Sequence, residues 1–254
     1  MSLPTQRLRL LSANIQAGNS TRSYREYITR SWSHVLPAGK RDSLVEIARV
    51  AEPFDIVGLQ EADAGSLRSG FTNQTHFVAE AAGFPYWSHQ PNRSVGGIAR
   101  SANALLSRLA PTEVLDHPLP GRVPGRGVLM ARFGRGPDAL TVAVAHLSLG
   151  AKSRATQVGF LSELLGEARH VVLMGDFNCP SDAREMGLLF TRTRLQPPPC
   201  AMPTFPSWAP ARCLDHILAS PELGAEGLEA FPAAYSDHLA IAVSVQVPEA
   251  ALAG

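Results

Sequence analysis

Several short apolar runs of this sequence end in a polar residue of a type that binds metal or moves protons. Residues 8–13 lead into Asn14, 56–60 into Glu61, 141–145 into His146, and 171–175 into Asp176-Phe177-Asn178. Two further groups sit at the start of their runs: Asp215 near the head of 214–219, and Ser236-Asp237-His238 immediately before 239–247. Brought to one place, these side chains could hold a cation and shuttle a proton. Taken singly, each has a structural reading. Asn14 ahead of Gly18 suits a turn, Glu61 a solvated strand end, His146 a hydrogen-bonded core histidine and Asp176-Phe177-Asn178 an Asx turn, while Asp215 suits local backbone bonding and 236–238 a strand-entry turn.

For the groups to meet, the runs that end in them must be strands pointing one way, and the runs that begin with them must point the other. Strand ends and the loops beyond them are where sites are normally built. This requires mixed or antiparallel sheets rather than a purely parallel, doubly wound one. The predicted strands are residues 8–14, 55–60, 104–107, 127–133, 140–146, 170–175, 214–219 and 239–247, each short and rich in Val, Ile, Leu or Ala. Residues 41–51 place Leu44, Ile47, Ala48 and Ala51 on one face, and 154–167 do the same with Val158, Leu161, Leu164 and Leu165, predicting two amphipathic helices. Asp182 with Glu185 predicts a short helix through about residue 190. The prolines at 197, 198, 199, 203, 206 and 210 exclude regular structure over 196–210 and predict a long, stiff surface loop. Segments 66–73, 90–101 and 118–126 have loop composition, and the tail 248–254 reads as frayed.

The 254 residues are 45% hydrophobic and 18% charged, which allows a sizeable core and predicts one domain over 1–254 with its core at about 8–247. Twenty-three basic residues against 22 acidic leave a net charge of +1, so no bulk basicity announces a nucleic-acid or membrane-surface partner. An anionic substrate must be held locally. Arg122, Arg126, Arg132 and Arg135 read either as a phosphate-facing cluster or as scattered solvated charge. Three cysteines without CxxC spacing suggest neither a disulfide framework nor a cysteine zinc site. With no secretory leader and no transmembrane segment legible, the expected location is cytoplasmic. Rival chemistries lack their signatures. There is no GxSxG elbow, Gly39-Lys40 is followed by Arg41 and fits no P-loop, and Gly121, Gly125 and Gly127 do not fit GxGxxG.

The segments LLSANIQAG, DIVGLQEAD, ANALLSRLA, VAVAHLSLG, VVLMGDFNCP, CLDHILASP and YSDHLAIAV occur in that order. From residue 8 to 247 the chain thereby resembles the endonuclease/exonuclease/phosphatase (DNase I-like) superfamily, GDFN followed at a distance by SDH being the specific part. The resemblance implies an α+β fold: a four-layer α/β/β/α sandwich with two mixed sheets face to face and helices outside. It also implies hydrolysis of phosphoesters dependent on Mg²⁺ or Mn²⁺, with one or two ions, which suits hard oxygen ligands. On that pattern Glu61 is the direct metal ligand, with Asp237 and Asn14 completing the protein side. Asp176 is the base for the attacking water, and Asn178 orients that water or donates to a phosphate oxygen. His238 faces the scissile phosphate, as imidazolium or as base, anchored by Asp215, while His146 is aimed at a non-bridging oxygen. Asn103 is either a substrate-binding residue at the site's edge or a structural hydrogen bonder, and Arg154 and Gln157 resemble a recurrent pair read as structural. Gln16 stands where some relatives carry an acidic residue, which leaves the ligand count open.

The same superfamily core acts on DNA, RNA, phospholipid head groups, inositol phosphates and nucleotides. The implied partner is therefore a phosphate ester, whether small molecule, lipid head group or nucleic acid. Gln60-Glu61 is followed by Ala62-Asp63 instead of the Thr-Lys usual in DNA-repair relatives, which argues against abasic-site repair. Thr204-Phe205-Pro206-Ser207-Trp208 faintly resembles the loop before the Asp motif of inositol-phosphate phosphatases. The preferred reading is a small phosphodiesterase or phosphatase, with DNA or RNA endo/exonuclease as the alternative. A non-catalytic scaffold would be marked by loss of Glu61, Asp176, Asp237 or His238, and all are present.

Overall fold

Strand β1 (Thr5–Asn14) is apolar on both faces, and this fixes the layering. Leu8 and Leu10 point into one buried cluster, Leu11 and Ala13 into another, as the two-residue period of a strand dictates. The structure, a computed structural model, describes residues 4–16, 40–65, 72–95, 99–121, 125–198, 200, 202–232 and 235–253. Beside β1 lie β2 (Ile56–Asp63), parallel to it, and β11 (Ala240–Pro248), antiparallel. With β3 (Tyr86–Val95), β4 (Ala99–Ser107) and β10 (Glu226–Phe231) they form a six-stranded sheet in the order β10-β11-β1-β2-β4-β3. The second sheet runs β5 (Glu113–Pro118), β6 (Gly127–Phe133), β7 (Leu140–His146), β8 (His170–Asp176), β9 (Asp215–Ala219). Within it β7 and β8 are parallel and the other neighbours antiparallel.

Three apolar clusters separate four layers. The middle one joins the sheets through Leu8, Leu10, Ile56 and Leu105 from one side and Val142, Val144, Val172 and Met174 from the other. Helix α1 (Lys40–Ala51) covers the outer face of the first sheet with Leu44, Ile47, Ala48 and Ala51, joined by α2 (Gln74–Ala81) through Val78 and Ala79. Helix α3 (Ala151–Leu165) covers the second sheet with Val158, Leu161 and Leu165, and α4 (Gly187–Arg192) adds Leu189. The expected α/β/β/α sandwich of two mixed sheets is therefore the observed fold. Gly58 lets the sheets approach, since a Cβ there would lie 2.8 Å from both Met174 Cε and Val144 Cγ2.

All eight predicted strands and both predicted amphipathic helices are present, 127–133 and 140–146 with the predicted bounds and the others with ends shifted by one to three residues or extended. The segment 90–101 is a correction: β3 runs through Val95 and β4 starts at Ala99, so it is mostly strand. Strands β3, β5 and β10 and helix α2 have no counterpart in the sequence reading. The tail is not frayed, because Pro248 ends β11 and α5 (Glu249–Leu252) buries Ala251 in the central cluster. The short helix predicted from Asp182 begins as a single 3₁₀ turn at Arg184–Met186 before α4. Residues 66–71, 96–98, 122–124, 199 and 201 of the predicted loops lie outside the described residues. Among the described residues no helix is long and apolar enough to cross a membrane.

Candidate active site

Strand register brings three predicted residues side by side. His146 pairs with Asp176 across the parallel β7–β8 ladder, and Asp176 pairs with Asp215 across the antiparallel β8–β9 ladder. Each follows the same parity as inward residues of its own strand, Val142 and Val144, Val172 and Met174, Ile217 and Ala219, so all three face the opposite sheet. Asn14 follows Leu8 and Leu10 by the same period and reaches the space from the other side. Tight contact between β7 and β8 depends on Gly175, at φ +144°, where a Cβ would sit 1.9 Å from the Ala145 carbonyl oxygen.

Glu61 arrives by another route. Val57 and Leu59 pack outward against the helices, and strict alternation would send Glu61 after them. Instead the β2–β4 register shifts between Leu59 and Ala62, the extra residue forming a bulge, and Glu61 adopts φ 58°. The bulge re-aims its carboxylate into the cleft. Gln16 (φ 43°) and Asn178 (φ 54°) share this left-handed conformation, so the three non-glycine residues with positive φ among the described residues line one cavity.

That cavity, of roughly 320 Å³, opens between the sheets at the carboxyl ends of β1, β2, β7 and β8. Asp176 is its centre, almost completely buried. Asn14 Nδ2 donates to Asp176 Oδ2 at 3.1 Å, and the Asn178 backbone N–H donates to Oδ1 at 2.9 Å. Around the same Oδ2 stand His146 Nε2 at 3.4 Å and His238 Nε2 at 3.8 Å. Glu61 Oε1 lies 4.0 Å from His146 Nε2. On its other nitrogen, His238 Nδ1 donates to Asp215 Oδ2 at 2.8 Å. Asp237 lines the cavity beside these groups, its backbone carbonyl accepting from the Ser207 N–H at 2.7 Å. The eight residues predicted as catalytic groups or ligands thus converge, seven on the cavity wall and Asp215 behind His238.

Environment drives the two imidazoles apart. Burial holds His146 well below the usual histidine range, with Arg126 and His238 adding repulsion, so it is a neutral imidazole. Burial also opposes the charged form of His238, but its contact and hydrogen bond with Asp215 and the nearby Asp176 and Asp237 outweigh it and raise it to about 10. Burial, reinforced by Asp215, raises the Asp176 carboxyl to about 7 against the pull of His238 and the Asn178 N–H. Asp237 is likewise raised, by burial first and by Glu61 among the nearby charges.

Asn103 does not join them. It is fully buried and absent from the cavity wall, and its amide donates to the carbonyls of Gly127 (2.7 Å) and Val144 (3.4 Å), tying β4 to the opposite sheet. Arg154 and Gln157 act on the loop after His146. Arg154 reaches the Ser148 and Leu149 carbonyls and pairs with Glu185 at 2.7 Å, while Gln157 accepts the Ser148 N–H at 2.8 Å. Of the four arginines weighed as a cluster, Arg126 lines the cavity, Arg132 lies 3.6 Å from Glu113, Arg135 is absent from the cavity wall, and Arg122 falls outside the described residues. Leu149, Phe205, Arg212 and Leu214 complete the wall and are not among the predicted site residues. Phe205 sits in a proline-rich stretch whose docking onto residues 236–239 no local pattern announces.

The sequence matches the model of the Endonuclease/Exonuclease/phosphatase family over residues 11–238. Comparison with curated proteins finds no match. Among solved structures the chain is similar to an endonuclease/exonuclease/phosphatase from Beutenbergia cavernae (TM-score 0.74, 20% identity, covering 95% of this chain and 72% of that one). It is also similar to a Bacteroides thetaiotaomicron family protein (0.66, 18%, 95% and 98%) and to a mannosyl-6-phosphatase from the same species (0.64, 17%, 94% and 99%). At these identities the structures speak for the fold, and the family model, matched over most of the chain and across every motif from Asn14 to His238, speaks for kinship. This chain belongs to the endonuclease/exonuclease/phosphatase family, whose members hydrolyse phosphoesters.

Proposed function

We propose that the chain is a divalent-metal-dependent phosphoester hydrolase acting on a small phosphate ester. The observation that carries the reading is the convergence of four acidic residues and two histidines of opposite protonation on and behind one cavity wall. The donor chemistry fits a hard cation. Glu61 and Asp237 make no side-chain hydrogen bond to each other or to a third group among the described residues, and Glu61 adds to the cost of ionising Asp237, a cost that a 2+ ion would relieve. With Asn14 they make an all-oxygen set suited to Mg²⁺ or Mn²⁺. A second grouping, Asp176, Asp215 and His238, has donor atoms within 4.8 Å of one another, but its Asp215–His238 hydrogen bond reads better as an anchored imidazole. A divalent ion in the first set supplies positive charge to phosphate oxygens and favours ionisation of water.

The chain's own residues supply the rest. Asp176, raised to about 7, is basic enough near neutrality to take a proton from the attacking water, and Asn14 and Asn178 hold its two oxygens in place. His238, charged and fixed through Nδ1, presents its Nε2 to the phosphate as charge develops. His146, neutral, donates from Nε2 to a non-bridging oxygen. Arg126 and Arg212 put further positive charge on the wall. A cavity of roughly 320 Å³ lies near the small end of ligand sites, about 300–1,000 Å³, and a net charge of +1 provides no broad basic field, which favours a compact ester over a polymer.

The test is hydrolysis of p-nitrophenyl phosphate and bis-p-nitrophenyl phosphate with Mg²⁺ or Mn²⁺, beside EDTA, plasmid DNA and RNA. Metal-dependent turnover that His238→Ala abolishes is expected. Cleavage of DNA or RNA with neither ester turned over would replace the small-ester reading by a nuclease. Silence on every substrate with no metal binding by calorimetry would sink the hydrolase and favour a scaffold.

A further inference from the structure

We propose that Thr204 is a positioning residue for hydrolysis, its hydroxyl holding the Asp215 carboxylate in the one orientation that fixes the His238 ring. The inference rests on the hydrolase reading above. Thr204 is fully buried and absent from the cavity wall, so it can act only through a neighbour. Its Oγ1 donates to Asp215 Oδ2 at 2.5 Å, and that same oxygen accepts from His238 Nδ1 at 2.8 Å. Asp215 Oδ1 is buried without a hydrogen-bond partner among the described residues. A carboxylate with one bonded and one bare oxygen gains little from its own surroundings that would stop it turning about the bond to Cβ. The Thr204 hydroxyl supplies the missing constraint, converting a single His–Asp hydrogen bond into a three-member chain.

The hydroxyl is itself fixed from several directions. Oγ1 lies 3.4 Å from the backbone nitrogens of Leu214 and Asp215, which donate to it. The Thr204 N–H donates to the Arg212 carbonyl and its own carbonyl accepts from the Leu239 N–H, each at 2.9 Å. Thr204 is thereby locked between the strand that begins with Asp215 and the segment that follows His238. Its neighbour Phe205 carries a ring 5.0 Å from the imidazole of His238, limiting ring tilt from another side. The stretch that reads in sequence as a surface loop is in part a buried brace. Val is close to Thr in shape and lacks the hydroxyl, so Thr204→Val removes the bond with the least change of packing, and Thr204→Ser keeps it.

The experiment compares Thr204→Val, Thr204→Ala and Thr204→Ser for kcat and KM on the better p-nitrophenyl ester, for thermal unfolding, and for the low-field imidazole N–H proton signal of metal-free protein. Losing a hydrogen bond to a charged group predicts a fall of roughly 10- to 100-fold in kcat for Val and Ala. KM should stay near the wild-type value, because the bond is not made to substrate. Ser should restore most of the rate, and the low-field signal should shift or broaden in Val and Ala but persist in Ser. Adding Thr204→Val to Asp215→Asn should cost nothing further. A folded Thr204→Val with wild-type kcat and an unchanged signal overturns the proposal, as does an additive loss in the double variant. Failure of both Val and Ala to fold would make Thr204 purely structural and overturn it too. Full activity in His238→Ala would overturn the proposal as well, whereas wild-type protein silent on every ester and nucleic acid would sink the hydrolase reading itself.

Discussion

The two ends of the sandwich solve the same problem in opposite ways. At the end where β2 begins and β4 stops, polar groups are mutually satisfied: Arg108 donates to the carbonyls of Phe54 (3.0 Å), Gly83 (3.2 Å), Ala82 (3.2 Å) and Glu52, and lies 4.7 Å over the Phe84 ring. Asp55 closes the same end by accepting the Arg9 N–H at 2.7 Å. At the other end carboxylates crowd each other, two imidazoles are pushed in opposite directions, and three non-glycine residues sit at positive φ. Both ends are made of the same strands, so the difference does not come from the scaffold. One end places charge where the fold needs it; the other places charge where a ligand would need it, and leaves the protein alone to bear the cost.

Removing a charge at the cavity end should therefore destroy activity without harming stability. Asp176→Asn is expected to lose about 10²–10⁴-fold in kcat, the usual cost of deleting a proton-transfer group. Its stability effect has a definite sign. A carboxyl raised from 3.8 to about 7 binds a proton in the folded state that the unfolded chain releases, so its contribution is fully present below the unfolded value and is lost as pH rises through about 7. In EDTA, the melting temperature of Asp176→Asn should gain on wild type progressively between pH 4 and 7, relative to their difference at pH 4. Parallel melting curves across that window would mean that Asp176 is not destabilised by its site.

Two substitutions away from the reacting groups break the contrast in other ways. Gly175→Ala forces a Cβ onto the Ala145 carbonyl at a φ that only glycine adopts comfortably, and a loss of about 3 kcal/mol is expected in urea unfolding. Because that residue locks β7 to β8 directly beneath His146 and Asp176, activity should fall with stability. Arg108→Ala at the far end should cost about 1–2 kcal/mol through the carbonyls it leaves unpaired while kcat and KM stay unchanged. A change in kcat there would show that the two ends are mechanically coupled.

The contrast also explains what was legible in the sequence. Strands buried on both faces, such as β1, β7 and β8, read as apolar runs, and the polar residue closing each run stands out by contrast. Edge strands give no such signal. Residues of β5 and β10 are mostly exposed, and β3 contains Pro91, so their strand character comes from pairing with β6, β11 and β4. Helix α2 is short, with apolar residues only at Phe77, Val78, Ala79 and Ala81, and its start is marked by the Asn73 side chain accepting the His76 N–H. Site residues carried on strand ends could be named, because register alone brings them together. Arg212 could not, and Thr204 and Phe205 were legible only as part of a loop stretch, because pairing of a proline-rich segment with 212–215 and 236–239 is what delivers them. Asn103 shows the reverse: its motif leaves a site role and a structural one both open, and its inward position on β4 assigns it to joining the sheets.

The smallest expected effect tests the strain at the cavity end most directly. Glu61 occupies φ 58° inside a bulge, a conformation in which any residue with a Cβ is penalised and glycine is not. Glu61→Ala and Glu61→Gly both delete the carboxylate and both should abolish metal binding, so charge cancels from their comparison. What remains is the backbone: Gly escapes the strain but has more freedom to lose on folding, about 0.5–1 kcal/mol, against a left-handed penalty of about 1–2 kcal/mol for Ala. The glycine variant should thus be more stable than the alanine variant by up to about 1.5 kcal/mol, at roughly 2–4 °C per kcal/mol in a chain of this size. Alanine equal to or above glycine would mean that the bulge costs nothing to hold, and that Glu61 owes its orientation to ordinary strand geometry. The expected order would instead make the bulge a place where the fold gives up stability to turn one carboxylate inward, against the alternation that governs the rest of β2.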